Sequence, residues 1–216
     1  MTTVIGIYTS NGIVLAADTL NMYVYSGVLN KKTTQNLHGS KIYKFPQGPY
    51  LIGISGVDNF PTGYLLAGLR EECRKNRHFL IDRLEGKDFP ELKRHFGNSD
   101  DRQTLVIATP LRDFPGSLFC VSKYAKGEYT VWKAQEDDGC VAAGSGSEHV
   151  EELLRKMYSF NLTMPEAEKL AFDALSVAND KDSHSEGYEI WQILENEIIS
   201  NPVDDDQSKS PRKIAF

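Results

Sequence analysis

The chain has 216 residues, 40% of them hydrophobic and 25% charged, with a formal net charge of −6. That is enough apolar chain for one globular domain with a sizeable core, and the acidic balance argues against a general nucleic-acid surface, which needs a basic stripe. No stretch approaches the roughly 20 apolar residues of a membrane span, and the N-terminus lacks the basic-then-apolar run of a secretory signal. Cys73, Cys120 and Cys140 are odd in number and widely spaced. They make neither a CxxC pair nor a zinc pattern, so reduced, buried thiols in a cytoplasmic protein are the expectation.

In chain order, residues 2–18 read as a β-hairpin, with Ser10-Asn11-Gly12 supplying the turn. The return strand Ile13–Ala17 is wholly apolar, as expected when both faces are covered. Residues 19–40 read as polar and irregular. A second hairpin follows, with Lys41–Phe45 and Tyr50–Gly56 joined across Pro46-Gln47-Gly48-Pro49. Tyr64–Leu84 is read as one helix on the apolar stripe Leu65, Leu66, Leu69 and Cys73, and a short helix is expected near Pro90–Phe96.

Strand signals recur at Gln103–Thr109, Ser117–Ser122 and Glu128–Lys133. Two helices come next. Val150, Leu153, Leu154, Met157 and Tyr158 space the first. Thr163-Met164-Pro165-Glu166 is a capping box for the second, whose apolar face is Leu170, Ala171, Ala174, Leu175 and Ala178. Tyr188–Leu194 reads as a last long strand. The domain is expected over residues 2–200, with a charged, mobile tail over 201–216. Helices arriving in groups between hairpin-linked strands predict an α+β fold, two antiparallel sheets face to face with helices on both outer sides.

The opening Met1-Thr2-Thr3 carries the first chemical signal. A small second residue favours removal of Met1, and a chain that starts with Thr presents a hydroxyl nucleophile beside its own α-amine. Such an amine, with a reference pKa near 7.7–8.0, is suited to act as base, and a Thr hydroxyl needs one. A cation would favour hydroxyl ionisation, and a carboxylate would fix that cation. Asp18, ending the second strand, and Lys41, opening the third, are candidates, although a solvated surface charge is the commoner role of either residue type.

Six ordered blocks resemble the proteasome β-type subunits among the N-terminal-nucleophile (Ntn) hydrolases: Thr2-Thr3-Val4-Ile5-Gly6, Gly12–Asp18, Ser40-Lys41-Ile42, Gly53-Ile54-Ser55-Gly56, Ala143–Ser147 and Asp182-Ser183-His184-Ser185. The resemblance implies the four-layer αββα sandwich of that family and a threonine peptidase activity. It implies Thr2 as nucleophile, Asp18 and Lys41 as the groups that tune it, and the backbone N–H of Gly56 as oxyanion donor. Ser145, Asp182 and Ser185 would surround the terminal amine. Ser145 could equally cap the following helix, and Asp182 could simply end a helix.

Asn21, Gly39, Tyr43, Ile54 and Asp58 would line the first side-chain pocket. The segment between Asp18 and Lys41 is longer than the family's usual, so Lys31 and Lys32 compete with Lys41. Leu20 stands where Arg is usual and Glu186 where Gly is usual. No cofactor and no metal are implied. The implied partners are polypeptide substrates, further copies of the chain in stacked rings, and an unfoldase. A non-catalytic structural subunit of such a ring, or an Ntn amidase or peptide ligase, are the alternatives.

Overall fold

The computed structural model describes residues 2–26, 32–45, 49–56, 60–86, 102–111, 114–124, 128–183, 185–195, 197–201 and 212–215. Strands β1 (Thr3–Thr9), β2 (Gly12–Ala17), β10 (Cys140–Gly144), β11 (Glu189–Ile193), β12 (Glu197–Asn201) and β13 (Arg212–Ala215) form a six-stranded sheet in the order β10-β1-β2-β11-β12-β13. A five-stranded sheet contains β5 (Ile42–Phe45), β6 (Tyr50–Gly56), β7 (Gln103–Thr109), β8 (Ser117–Lys123) and β9 (Tyr129–Lys133). Among the described residues β3 (Leu20–Ser26) and β4 (Lys32–His38) pair only with each other, and every pairing is antiparallel. Helices α1 (Phe60–Lys75) and α2 (Phe79–Glu85) belong to the first half, α3 (Ser147–Met157) and α4 (Met164–Lys181) to the second.

Strand alternation creates the layers. On β1 and β2, Val4, Ile13, Leu15 and Ala17 meet Ile42, Leu51, Val106, Ala108 and Leu118 of the second sheet. The opposite faces, Ile5, Ile7, Val14 and Ala16, pack under Val150, Leu154, Leu170, Ala171 and Leu175 of α3 and α4. Beyond the second sheet, Ile52, Ile54, Leu105, Ile107 and Phe119 pack against Leu65, Leu69, Leu80 and Leu84 of α1 and α2. Three stacked apolar interfaces make four layers, the expected αββα sandwich. Both sheets are covered on both faces, which is why β2 and β6 carry almost no polar residues.

Two glycines let the sheets approach. A Cβ on Gly53 would lie 2.5 Å from Val4 Cγ1, and one on Gly6 2.9 Å from Leu118 Cδ1.

Several elements differ from the sequence reading. Residues 19–40 were expected to be irregular, yet Leu20–Ser26 and Lys32–His38 form the β3–β4 hairpin. The expected single helix over 64–84 is two, because Asn76 Oδ1 accepts from His78 N at 2.9 Å and turns the chain. Cys140–Gly144 is an additional strand. Arg212–Ala215, within the expected mobile tail, pairs with β12. The short helix expected near 90–96 lies outside the described residues.

On α3 the stripe holds at Val150 and Leu154, but Met157 is 53% exposed. The capping box of α4 is formed as expected, with Glu166 accepting from Thr163 N at 2.8 Å and Thr163 Oγ1 at 2.7 Å.

The close approach of the sheets makes Gly53→Val informative. The stiff branched side chain has to displace Val4, and overpacking of this kind costs about 1–3 kcal/mol. The expected result is a lower urea midpoint with an unchanged m-value.

Candidate active site

The antiparallel pairing Val4↔Ala17 sets the start of β1 beside the end of β2. The pairing Thr3↔Gly144 sets it beside the end of β10. Residues 2, 18 and 144 therefore meet at one end of the sandwich. Thr2 is buried there at 7% exposure. Gly144, with φ +108°, is pressed against it: a Cβ at Gly144 would stand 1.4 Å from the Thr2 carbonyl oxygen and 2.9 Å from Ser55 Oγ. That position admits only glycine, for reasons of both space and backbone sign. Ser55 immediately precedes Gly56, so the end of β6 reaches the same place.

Asp18 is fully buried. Its Oδ1 accepts from Thr3 N at 2.5 Å, and its Oδ2 from Lys41 Nζ at 2.7 Å. Lys41 is 4% exposed and also donates to the Leu20 carbonyl. Burial pushes the Asp18 carboxyl above the ordinary Asp range, against the downward pull of the Lys41 ammonium and the Thr3 N–H. The ion pair thus ties β1, β2 and the entry to β5 together at the backbone of Thr3.

Lys41 reaches Asp18 across the long intervening segment because that segment folds back on itself. The hairpin closes at Leu20↔His38, and Gly39 N donates to Thr19 O at 2.8 Å. An excursion closed at its base returns the chain to the same point whatever its length. Of the rival lysines, Lys32 begins β4 and Lys31 lies outside the described residues.

Ser145 Oγ donates to Asp182 Oδ2. Ser145 does not cap α3: the N-cap is Gly146, and Ser147 Oγ bonds the Gly144 carbonyl at 2.8 Å. Asp182 is the C-cap of α4, its N–H donating to Ala178 O at 2.7 Å, so the helix-end reading and the contact to Ser145 hold together. Ser185 is buried and close in chain, but its Oγ donates to Asn179 Oδ1 at 2.7 Å rather than to Asp182.

Gly56 ends β6 with φ +129°, where a Cβ would sit 2.6 Å from Arg102 O. Ile54 belongs to the buried cluster under α1 and α2, and Tyr43 packs against that cluster. Gly39 is half-buried beside Thr19; Asn21 lies on β3, and Asp58 and His184 lie outside the described residues. Glu186 is exposed, and its carbonyl accepts from Thr19 N at 2.9 Å and Leu20 N at 3.2 Å.

Sequence reasoning missed Glu189. This residue is 2% exposed, and its carboxylate accepts from Ser40 Oγ at 2.8 Å, Ile42 N at 2.9 Å and Lys41 N. A signal was available. On β11, Glu189, Trp191 and Ile193 share a face by alternation, and Ile193 lies in the core between the sheets. A carboxylate at the head of that face has to find donors.

The three thiols are free. Burial holds Cys73 up to about 12 and Cys140 up to about 11, and raises Cys120 as well. No group of three or more His, Cys, Asp or Glu residues able to hold a metal occurs among the described residues. No helix of the described residues is long and apolar enough to cross a membrane.

The layer order is that of the Ntn-hydrolase sandwich. The family model of the proteasome subunit matches residues 130–193, which run from β9 to β11. Among solved structures, the chain is similar to Anbu (ancestral beta-subunit) from Yersinia bercovieri, with TM-score 0.59, 13% identity, and coverage of 100% of this chain and 87% of that one. It is also similar to the Anbu complex from Pseudomonas aeruginosa, solved as a helical assembly, with TM-score 0.63, 14% identity, and coverage of 95% and 88%. No curated protein matches. The family-model match and the shared fold support the expected kinship with proteasome β-type subunits.

Two outcomes follow from this geometry. Lys41→Met leaves the Asp18 carboxylate buried without its cation, and loss of one partner of a buried pair costs about 3–5 kcal/mol; urea unfolding of the variant checks it. With thiols raised to about 11 and about 12, the native protein is expected to resist iodoacetamide at pH 7.5, where thiolate is scarce. The denatured chain should take three labels by intact mass, one for each free cysteine.

Proposed function

We propose that the chain is a threonine-type endopeptidase subunit whose nucleophile is Thr2, exposed by removal of Met1. The observation that carries this reading is the buried Lys41–Asp18 pair bonded to the N–H of Thr3, the residue after Thr2. An ammonium held at 2.7 Å from a fully buried carboxylate is expensive to desolvate and adds little stability on its own, so a chemical role gives the arrangement its reason.

In the proposed reaction Thr2 Oγ gives its proton to the α-amine and attacks the peptide carbonyl. The Lys41 ammonium favours ionisation of the hydroxyl and keeps the nearby amine neutral at working pH. The Gly56 N–H donates to the developing oxyanion, an interaction typically worth roughly 3–4 kcal/mol. The protonated amine then delivers its proton to the leaving amine. Water attacks the resulting ester and regenerates Thr2. Ser145 and Asp182 hold the terminal amine in place, with Ser185 completing the polar surround. Asn21, Gly39, Tyr43, Ile54 and Asp58 remain the proposed lining of the first side-chain pocket.

Copies of the chain are proposed to self-assemble so that the sites face an enclosed space that admits unfolded polypeptide. Supporting this are the fold shared with a neighbour that forms a helical assembly and the position of the site at the end of a sheet. A cytoplasmic setting and an unfoldase partner belong to the same reading.

Purified from cells, the protein is expected to begin at Thr2 by intact mass, to elute as an oligomer, and to cleave fluorogenic peptides. Thr2→Ala should fall to background while remaining folded. Undiminished turnover by that variant would sink the nucleophile assignment. Retention of Met1 together with inertness would make the chain a structural subunit, and transfer of the acyl group to an amine instead of water would make it a ligase.

A further inference from the structure

We infer that Glu189 is a positioning residue for this site, fixing the backbone from which Lys41 extends. The inference rests on the proposed role of Thr2 and goes beyond the residues that role assigns. Lys41 lies just ahead of β5: its carbonyl accepts from Ile54 N of β6 at 3.2 Å, and the paired register begins at Ile42↔Gly53. Something other than the ladder has to hold the Lys41 N–H. Glu189, reaching across from β11 of the other sheet, does so: a single oxygen, Oε1, accepts from both Lys41 N and Ile42 N, the latter at 2.9 Å. The second oxygen, Oε2, accepts from Ser40 Oγ at 2.8 Å and from Trp191 Nε1 at 3.3 Å.

Four donors on one carboxylate that is 2% exposed is a built arrangement, not a passing contact. Burial raises this carboxyl and the four donors pull it back down. Three successive residues, Ser40 to Ile42, are thereby clamped to the sheet that also carries Thr2 and Asp18. Asp18 holds Lys41 by the tip of its side chain, and Glu189 holds it by the root. With both ends fixed, Nζ cannot drift, and an ammonium displaced by about 1 Å can cost about 10²-fold in rate.

The division of labour between the two oxygens makes the inference testable. Glu189→Gln keeps an oxygen for the Lys41 and Ile42 N–H groups, and its amide can donate to Ser40 Oγ. Glu189→Asp is one methylene too short to reach both N–H groups. Glu189→Ala removes the clamp. The readout is the rate of covalent capture of Thr2 by a peptide epoxyketone, which bonds to the hydroxyl and the amine together, resolved into its affinity and its maximal inactivation rate and followed by intact mass. Urea unfolding runs in parallel.

Wild type is expected to react, and Glu189→Gln to keep its maximal rate within about threefold. Glu189→Asp and Glu189→Ala should lose about 10–10²-fold in that rate with affinity unchanged. If Glu189→Ala does not fold, Glu189→Asp carries the comparison. Folded Asp or Ala variants that react at the wild-type rate overturn the positioning role. A folded Gln variant that fails to react overturns it too, since charge rather than geometry would then be at stake. A wild type that gives no adduct removes the Thr2 reading instead.

Discussion

The ion pair between Asp18 and Lys41 is the constraint on which the rest of the site depends. Two charges at 2.7 Å, both almost wholly removed from water, need further hydrogen-bond partners. Asp18 takes the Thr3 N–H on its free oxygen, and Lys41 gives a further proton to the Leu20 carbonyl. Those partners come from β1, the start of β3 and the chain ahead of β5, so satisfying one pair fixes the relative position of three segments.

Packing supports the same end of the molecule. Glycines at positions 6 and 53 bring the sheets close enough for a side chain rooted on one to reach the other. Gly144, with its positive φ, lets the chain that leads into α3 lie flat against the Thr2 backbone. A larger residue at any of these three positions would push apart surfaces that the polar groups need within hydrogen-bond reach. The apolar layers set the spacing and the charged groups use it.

The β3–β4 hairpin shows how a long excursion can leave two residues side by side. Seen along the chain, the length between Asp18 and Lys41 put their pairing in doubt. In space, the segment is a ladder that leaves and returns at adjacent points, Leu20 and His38, and Asp18 and Lys41 stand at its foot. An alternation was present in the sequence of its first strand, Leu20-Asn21-Met22-Tyr23-Val24-Tyr25. The polar partner strand, Lys32–His38, has no such pattern, which hid the pairing.

Periodicity in the sequence determined most of the layers: the apolar runs of β1, β2 and β6, the buried stripe of α1, the capped and amphipathic α4, and the grouping of helices between hairpins. Short blocks of residues also marked Thr2, Asp18, Lys41, Gly56, Ser145 and Asp182 as candidates. Local patterns carry such information because strand alternation and helix repeat depend on near neighbours. The choice of Lys41 as the partner of Asp18, the pairing of Ser145 with Asp182 and of Ser185 with Asn179, and the clamp made by Glu189 were decided only in three dimensions. Apart from the Ser185–Asn179 contact, which spans six residues, each joins residues far apart in the chain, and contacts of that kind leave no periodic trace; they exist only once the sheets have closed on one another.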